Sequence, residues 1–440
     1  MLTGSCHTPL RHARYCMNKT KLCFYVCSKK YIALTGLFWL LVMAAHAQAD
    51  TIRQRIVLIG DAGQLTDGHH PVVDAVRSHI PLDAKTTILF LGDNLYKRGL
   101  PDRQFKLLYD KARAVLDTQI MIADGTPSKV YMIPGNHDWE NGARTGYDAI
   151  LRQQVYVDFS GLKDVEYFPK DGCPGPEEVP IGKDIVLILF DSQWWLQKYD
   201  KPEIESDCKC KTKEEVVAQI QDIATKNSDK LIILACHHPF KSNGIHGGFF
   251  TLKQHIFPFT DINPKLYIPL PIIGSIYPIS RSVFGSPQDL KYPAYADMVD
   301  RISQAIKTAC PNVIFVSGHD HNLQFIREDG YNYIVSGGGC KQNRTSNNAN
   351  SKFNTTTNGF AVLNVSVNNN VTVTFYTVED SVKQAYFSPV LNFKGPLRDT
   401  TDKIRVVEDT VQQTRNWITI SASDKYHPVG GLRKLFMGQN

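Results

Sequence analysis

Five short motifs in the sequence bring together residue types that bind metal ions. Aspartate, asparagine and histidine side chains suit borderline to hard cations such as iron, zinc and manganese. The motifs contain more of these side chains than one metal ion binds, so they predict two metal ions that share a carboxylate. Two ions roughly 3.5–4 Å apart can clamp a phosphate group and generate hydroxide near neutral pH. The motifs are Gly60-Asp61-Ala62-Gly63, Gly92-Asp93-Asn94-Leu95-Tyr96, Gly135-Asn136-His137-Asp138, Cys236-His237-His238-Pro239 and Ser317-Gly318-His319-Asp320-His321.

Each motif has a structural alternative when it is taken alone. A Gly-Asp pair after a strand, as at Asp61, is most often a turn. The run from Asn136 to Asp138 could be a capped loop, and His237 with His238 could belong to core packing. Five such motifs at successive strand ends are much less expected by chance, and this recurrence favours the metal site.

The elements that carry the motifs are short apolar runs, which are typical of strands covered on both faces. Helical patterns separate these runs, which indicates an α/β architecture. Ligands gather at the carboxyl ends of strands in such sheets, and glycine before a ligand lets the backbone turn sharply. The predicted strands are residues 55–59, 87–91, 130–133, 185–190, 231–235 and 313–316; the predicted helices are residues 71–79, 105–116, 213–226 and 294–308.

The pattern changes after Gly318. Residues 331–336, 359–367 and 371–378 are separated by polar turns and indicate antiparallel strands. We expect these strands to form a second sheet stacked on the first. The predicted fold class is therefore α/β, with two stacked mixed β-sheets flanked by helices.

The order of the motifs resembles that of the calcineurin-like metallophosphoesterases. More narrowly, Gly92 to Tyr96 and Gly318 to Gln324 look like the purple acid phosphatases, in particular their small tartrate-resistant type. A tyrosine two residues after the Asp-Asn pair separates these enzymes from the rest of the superfamily. The resemblance covers roughly residues 52–380 and implies a metallophosphoesterase βαβ sandwich, with a catalytic domain at residues 50–380.

The resemblance implies seven metal ligands. A phenolate and two carboxylates stabilise a trivalent ion, whereas neutral imidazoles and an amide suit a divalent one. The first metal is expected to be Fe(III), held by Asp61, Tyr96 and His321; the second is expected to be Fe(II), Zn or Mn, held by Asn136, His237 and His319, with Asp93 as the bridge.

Five further residues receive roles around the metals. His137 and His246 match histidines of the tartrate-resistant type, so we expect both to contact phosphate and either to act as the general acid. Asp138 is predicted to orient a histidine, and Asn94 to brace its turn rather than bind metal. For His238 we expect a packing or hydrogen-bonding role.

The implied reaction is hydrolysis of a small-molecule phosphate monoester by attack of a metal-bound hydroxide, as in acid phosphatases. A phosphodiesterase or nucleotidase would use the same ligands, and only the shape of the pocket separates them. The third alternative is a non-catalytic, membrane-associated module. Because every ligand position is filled, the sequence favours an enzyme.

The charge of the chain argues against a nucleic-acid partner. The formal net charge is +6, from 49 basic and 43 acidic residues. Residues 1–49 hold six of the basic residues and no acidic one, so the rest of the chain is balanced. A nucleic-acid-binding domain normally carries a basic excess on its folded part.

The N-terminal residues 1–49 resemble a secretory signal peptide with a long leader. Lys29 and Lys30 precede an apolar run that ends in small residues at Ala45, Ala47 and Ala49. A positive region, a short apolar region and an A-x-A site define such signals, while an uncleaved anchor is the alternative. We expect a periplasmic or extracellular protein, with Met1 or Met17 as the start.

Two regions depart from the small family members. Residues 247–293 are rich in proline, aromatic and aliphatic residues, which predicts an inserted loop, a lid over the active site or a membrane-touching patch. Residues 381–440 are predicted to be a C-terminal extension or linker that ends abruptly, as a truncated chain would. Either region is a candidate for association with an outer membrane.

The cysteines fit export from the cell. Cys173 lies in a Pro/Gly-rich stretch and is expected to pair with Cys208 or Cys210, because oxidising compartments permit disulfides. Cys236 and Cys310 border apolar runs and are predicted to be buried thiols.

Overall fold

The computed structural model describes residues 51–249, 252–261, 265–270, 275–276 and 286–393. The predictions on the leader at residues 1–49, and most of those on the extension at 381–440, lie outside these residues. Among the helices of the described residues, none is both long and apolar enough to cross a membrane.

Fourteen strands and seven α-helices occur in the described part of the chain. The strands are β1 (Ile52–Ile59), β2 (Thr86–Leu91), β3 (Lys129–Ile133), β4 (Val165–Tyr167), β5 (Glu177–Ile181), β6 (Ile185–Leu189), β7 (Leu231–Ala235), β8 (Val313–Ser317), β9 (Leu323–Glu328), β10 (Tyr331–Ser336), β11 (Ser351–Thr355), β12 (Gly359–Ser366), β13 (Asn370–Val378) and β14 (Val382–Asn392). The helices are α1 (Pro71–His79), α2 (Lys106–Ile120), α3 (Gly146–Asp158), α4 (Ser192–Leu196), α5 (Lys213–Lys226), α6 (Leu252–Ile256) and α7 (Pro293–Ala309).

The strands form two seven-stranded mixed sheets. The order of the first is β14-β13-β12-β1-β2-β3-β4, and that of the second is β11-β9-β10-β8-β7-β6-β5. Strands β1 to β4 run parallel, as do β6, β7, β8 and β10, while the remaining pairings are antiparallel. The predicted class, two stacked mixed sheets flanked by helices, is confirmed.

The central strands are buried on both faces, which explains their continuous apolar sequences. Leu58 of β1 belongs to a core cluster that also contains Leu187 and Ile233 of the second sheet, so the sheets pack face to face. Its neighbour Val57 points to the opposite face, because successive side chains alternate along a strand. There it packs in a cluster with residues of α1 and α2.

The expected division of the strands between the sheets was wrong. The C-terminal strands do not form a sheet of their own: β12 pairs with β1 in the first sheet, whereas β10 pairs with β8 in the second. Strand β1 has partners on both sides, β2 in parallel and β12 antiparallel. An apolar run predicts that a strand is buried but does not specify the neighbouring strand, so the pairing could not be predicted from the sequence. The last strand, β14, lies beyond residue 380.

Local signals account for several helix boundaries. Helices α1 and α5 have the predicted bounds, and α7 begins with Pro293 in its first turn, where proline costs no hydrogen bond. Thr212 and Glu215 form a capping box that starts α5. Helix α3 was not predicted.

The cysteine predictions are confirmed. Cys173 is bonded to Cys208, which leaves Cys210 as a buried thiol. Cys236 and Cys310 are also free and buried. The disulfide closes a span of 35 residues and fastens the segment that precedes α5 to the one that precedes β5.

Candidate metal centre

The ends of five parallel strands bring the predicted ligands to one place. Ligands follow β1, β2 and β3 in the first sheet and β7 and β8 in the second; they are Asp61, Asp93, Asn136, His237 and His319. A Cβ atom at Gly60 would lie 2.9 Å from the Cα atom of Gly318, so the ends of β1 and β8 meet without room for a side chain. At Gly92 a Cβ atom would lie 2.7 Å from Nδ1 of His237.

Three ligand positions adopt the left-handed backbone region, which disfavours residues other than glycine. The φ angles are 60° at Asp61, 52° at Asp93 and 70° at His319. Each such conformation costs about 1–3 kcal/mol and persists only where the surrounding structure imposes it. Three of the nine non-glycine residues with positive φ in the described part of the chain are therefore candidate ligands.

One group of donor atoms surrounds the Tyr96 hydroxyl. The hydroxyl donates to Oδ1 of Asp61 over 2.8 Å and lies 3.1 Å from Nε2 of His321. The Nε2 atom of His321 is 3.4 Å from the same Asp61 oxygen. Three ligand atoms at these mutual distances fit around one ion, and two of them are oxygens that can carry negative charge.

A second group of donor atoms is neutral. Oδ1 of Asn136 lies 3.0 Å from Nε2 of His237 and 3.1 Å from Nδ1 of His319, and these two nitrogens are 3.2 Å apart. Ligands about 2.1 Å from a tetrahedral ion are about 3.4 Å from one another. The donor set therefore fits a divalent metal ion.

Asp93 lies between the two groups. Its Oδ1 atom is 3.4 Å from Nε2 of His237, and with Asp61 these side chains offer ligand atoms within 4.8 Å of one another. Burial alone would raise the pKa of Asp93, but the neighbouring His237 and His137 outweigh burial and lower it. The carboxylate is thus kept ionised at the position expected of a metal bridge.

Tyr96 carries its proton when no cation is bound. Burial, followed by the nearby Asp61 and Asp93 carboxylates, raises the pKa of the phenol well above its usual value. The Nζ atom of Lys341 lies 3.0 Å from the centroid of the Tyr96 ring. Such an ammonium favours the electron-rich face of an aromatic ring, and no sequence pattern pointed to Lys341.

The two predicted catalytic histidines flank the ligands on different sides. The His137 ring stands edge-on to Tyr96, with centroids 4.6 Å apart, and its Nδ1 atom donates to the carbonyl oxygen of Lys97 over 2.8 Å. The His246 ring lies 4.0 Å from that of His319. Each is adjacent to one of the two donor groups.

Asn94 and Asp138 stabilise the turns that carry the ligands. The Asn94 amide donates to the carbonyl oxygen of Ile133 and to Asp138, in keeping with the predicted bracing role. Asp138 accepts from the backbone N–H groups of Asn94, Leu95 and Gly135. The expectation that Asp138 orients a histidine was wrong, because its acceptor oxygens are used by the turn.

His238 makes hydrogen bonds through both ring nitrogens, as its predicted role requires. Its Nδ1 atom is 2.8 Å from the Ser192 hydroxyl, and its Nε2 atom is 2.6 Å from Oε1 of Gln288. Burial, with a contribution from His237, lowers the pKa of His238 to about 3. The ring is therefore neutral and acts as a structural link.

Besides Lys341, three further residues that contact the ligands or the histidines beside them were missed by the sequence reasoning. Asn343 lies with its amide nitrogen 3.1 Å from Nδ1 of His321. Gln288 and Asp289 contact histidines from the far end of the insertion. None of these residues belongs to a motif. The only sequence feature that suggested a position near the site was that the insertion begins beside His246.

A family model for the calcineurin-like phosphoesterases matches residues 54–268. No curated protein matches the chain.

Three solved structures are similar to this chain. GAP50, the anchor in the inner membrane complex of Plasmodium, is 19% identical, with 77% of this chain and 89% of that chain covered and a TM-score of 0.49. A structure of PhoD is 12% identical, with 82% and 73% covered and a TM-score of 0.47. Purple acid phosphatase PPD1 from yellow lupin (Lupinus luteus) seeds is 14% identical, with 74% and 51% covered and a TM-score of 0.41.

The family match covers the first three metal-binding motifs and the paired histidines, and the structure places them with His319 and His321 around two sets of donor atoms. Residues 54–268 therefore match the calcineurin-like phosphoesterases, and this match supports a hydrolase of phosphoric esters, a family that implies a two-metal site.

Proposed function

We propose that the protein is an exported phosphatase of the purple acid phosphatase kind that hydrolyses phosphate monoesters. The observation that carries this proposal is the position of Tyr96, whose hydroxyl lies between Asp61 and His321. A phenol in this place distinguishes the resembled branch from other calcineurin-like enzymes.

The two donor groups favour different metal ions. The group around Tyr96 can supply a phenolate and carboxylates, which stabilise Fe(III). The group of Asn136, His237 and His319 is neutral and suits Fe(II), Zn or Mn. Lys341, against the Tyr96 ring, favours the anionic ring that Fe(III) would require.

The chain's own residues would hold the substrate and move its proton. Bound metal ions supply charge neutralisation for the phosphate and activation of a water molecule. His137 and His246 flank the donor groups and would contact the phosphate oxygens, with one of them giving a proton to the leaving alkoxide. Asp93, which lies between the two donor groups, would hold the two metal positions at a fixed distance from each other.

Export is supported by two features. Lys29 to Ala49 have the charge and apolar pattern of a secretory signal. The Cys173–Cys208 disulfide suits an oxidising compartment such as the periplasm or the extracellular space. We extend the proposal to attachment at an outer membrane through the insertion or the C-terminal extension.

The Tyr96→Phe substitution tests the identity of the first metal. In residues 50–440 loaded with iron, we expect a visible tyrosinate-to-Fe(III) absorption band that disappears in the variant. Loss of the phenolate removes the electron donor of this transition while the ring still fills its place. The measurement is the visible spectrum together with metal content. An active wild-type enzyme without the band would contradict the Fe(III) assignment.

The substrate class is tested with a matched pair of esters. We expect kcat/KM for 4-nitrophenyl phosphate to exceed that for bis(4-nitrophenyl) phosphate by roughly tenfold or more, which corresponds to about 1.4 kcal/mol in the transition state. The monoester carries the larger negative charge for two metal ions to neutralise. A preference for the bis ester would favour a phosphodiesterase, and metal-loaded protein inactive on every phosphate ester would favour a non-catalytic module.

A further inference from the structure

The segment at residues 286–290, here called the return segment, ends the insertion and contacts the candidate metal centre. It precedes α7, and three of its residues hydrogen-bond to residues beside the ligands. The insertion was predicted as a loop, a lid or a membrane-touching patch, none of which requires such contacts.

The backbone of Gln288 determines how His319 can bind a metal ion. Its carbonyl oxygen lies 2.9 Å from Nε2 of His319 and can only accept a hydrogen bond, so the proton of the ring is on Nε2. The Nδ1 atom then presents its lone pair toward Asn136 and His237, which are 3.1 and 3.2 Å away. A partner on the other ring nitrogen fixes the tautomer and orientation of a metal-binding histidine in this way.

The side chain of Gln288 holds that carbonyl in place. Oε1 accepts from Nε2 of His238 over 2.6 Å, and the amide nitrogen donates to Oε1 of Gln193 over 3.2 Å. His238 is itself held by the Ser192 hydroxyl. Because Ser192 and Gln193 begin α4, the return segment is fastened to a buried helix.

Asp289 ties the return segment to the start of the insertion. Oδ1 lies 2.9 Å from Nδ1 of His246, while Oδ2 accepts from the backbone N–H of Ser286 over 2.7 Å. The backbone N–H of Leu290 donates to the carbonyl oxygen of His246 over 2.9 Å. Both ends of the insertion therefore meet beside His319.

We propose that the return segment is a positioning element for the second metal ion, and that Gln288 is its principal positioning residue. The inference rests on the proposed two-metal function, which it deepens. Gln288 would act through His319 and not touch the metal itself. The insertion would then contribute to metal affinity.

The test is a calorimetric titration of the metal-free full chain with Zn²⁺. Gln288→Ala keeps the carbonyl oxygen that contacts His319 but removes the side chain that holds it to His238 and Gln193. We expect the second-site Kd to rise roughly 10- to 100-fold, the range for disturbing an outer partner of a metal ligand. The first-site Kd, assigned by its selective loss in Tyr96→Phe, should stay unchanged. Gln288→Glu keeps the acceptor for His238 and should restore second-site affinity, while Gln219→Ala on the exposed face of α5 is the matched control.

Two results would overturn the inference while leaving the proposed function intact. One is a wild-type second-site Kd in Gln288→Ala, and the other is a loss in Gln288→Glu as large as that in Gln288→Ala. Nitrogen-15 NMR of the wild-type zinc protein checks the tautomer without any variant: we expect a proton on Nε2 of His319, and a proton on Nδ1 would also overturn the inference. Wild-type protein that binds fewer than two zinc ions would instead overturn the proposed function.

Discussion

Asp93→Asn is expected to abolish the binding of a pair of metal ions and to lower kcat/KM by roughly 10³-fold or more. The asparagine keeps the shape of the side chain but has no negative charge and only one oxygen. It can therefore not hold two cations together. Metal content, measured with kcat/KM on a nitrophenyl monoester, gives the result.

The surroundings of Asp93 explain why Asp93→Asn should lower kcat/KM more than the loss of any one residue that contacts a metal ligand from outside. The carboxylate is buried, and Oδ1 lies 3.4 Å from the His237 ligand nitrogen while accepting from the backbone N–H of His137 over 2.8 Å. The amide oxygen of the substituted side chain can still accept from His137, so the turn should survive. The loss would thus fall on metal binding rather than on folding.

Asp222→Asn provides the matched control for this variant. Asp222 is exposed on α5, and the same chemical change there should leave metal content and activity unaltered. The thermal midpoint of metal-free Asp93→Asn should stay close to that of the wild type. Full activity with two bound metals in Asp93→Asn would show that Asp93 is not the bridge.

The fold class could be predicted because its signal is local. Runs such as residues 231–235 are apolar throughout, and a strand of this kind needs cover on both faces. The bounds of the helix at Lys213–Lys226 were predicted correctly because its capping residues are local. Thr212 and Glu215 are three residues apart, and each side chain bonds to the backbone of the other. For this helix, local pattern and structure agree because the determining contacts are close along the chain.

Strand pairing could not be predicted for the opposite reason. Strand β1 pairs with β12, which lies near the other end of the catalytic domain, and an apolar side chain packs as well against many neighbours. The strands β4, β5, β9, β11 and β14 were missed, and so were helices α3 and α4.

The candidate metal ligands were predicted from motifs, but the residues that support them were not. A ligand follows a strand and carries a recognisable side chain, as Asn136 does after β3. Gln288 acts on His319 through a backbone carbonyl, which every residue possesses, so its type gives no signal. Asp138 was given a histidine partner by analogy, whereas its position three residues from Gly135 lets it accept from that backbone.

The second large effect is expected for His246→Ala. We expect kcat for an alkyl phosphate to fall roughly 10²- to 10⁴-fold, the range for losing a general acid. His246 is the expected general acid because its Nδ1 atom contacts the Asp289 carboxylate. This contact fixes the orientation of the His246 ring beside His319. For His137, Nε2 lies 3.9 Å from Oδ2 of Asp93 and is directed toward the bridge instead.

The leaving group separates a general acid from a residue that only binds phosphate. A nitrophenolate departs without a proton, so His246→Ala should slow the nitrophenyl ester by only roughly tenfold, far less than the alkyl ester. His137→Ala should slow both esters by a similar factor, because a contact to phosphate oxygens does not depend on the leaving group. The measurement is kcat across a series of esters, with exposed His79→Ala as the control.

Equal losses for all esters in His246→Ala, with a leaving-group-dependent loss in His137→Ala, would reverse the assignment. The two histidines flank different donor groups, His246 beside His319 and His137 beside Tyr96. The histidine that shows the leaving-group dependence therefore also marks the side on which the alkoxide departs. In-line attack requires the nucleophile to approach from the opposite side, so this single comparison would orient the substrate between the two metal positions.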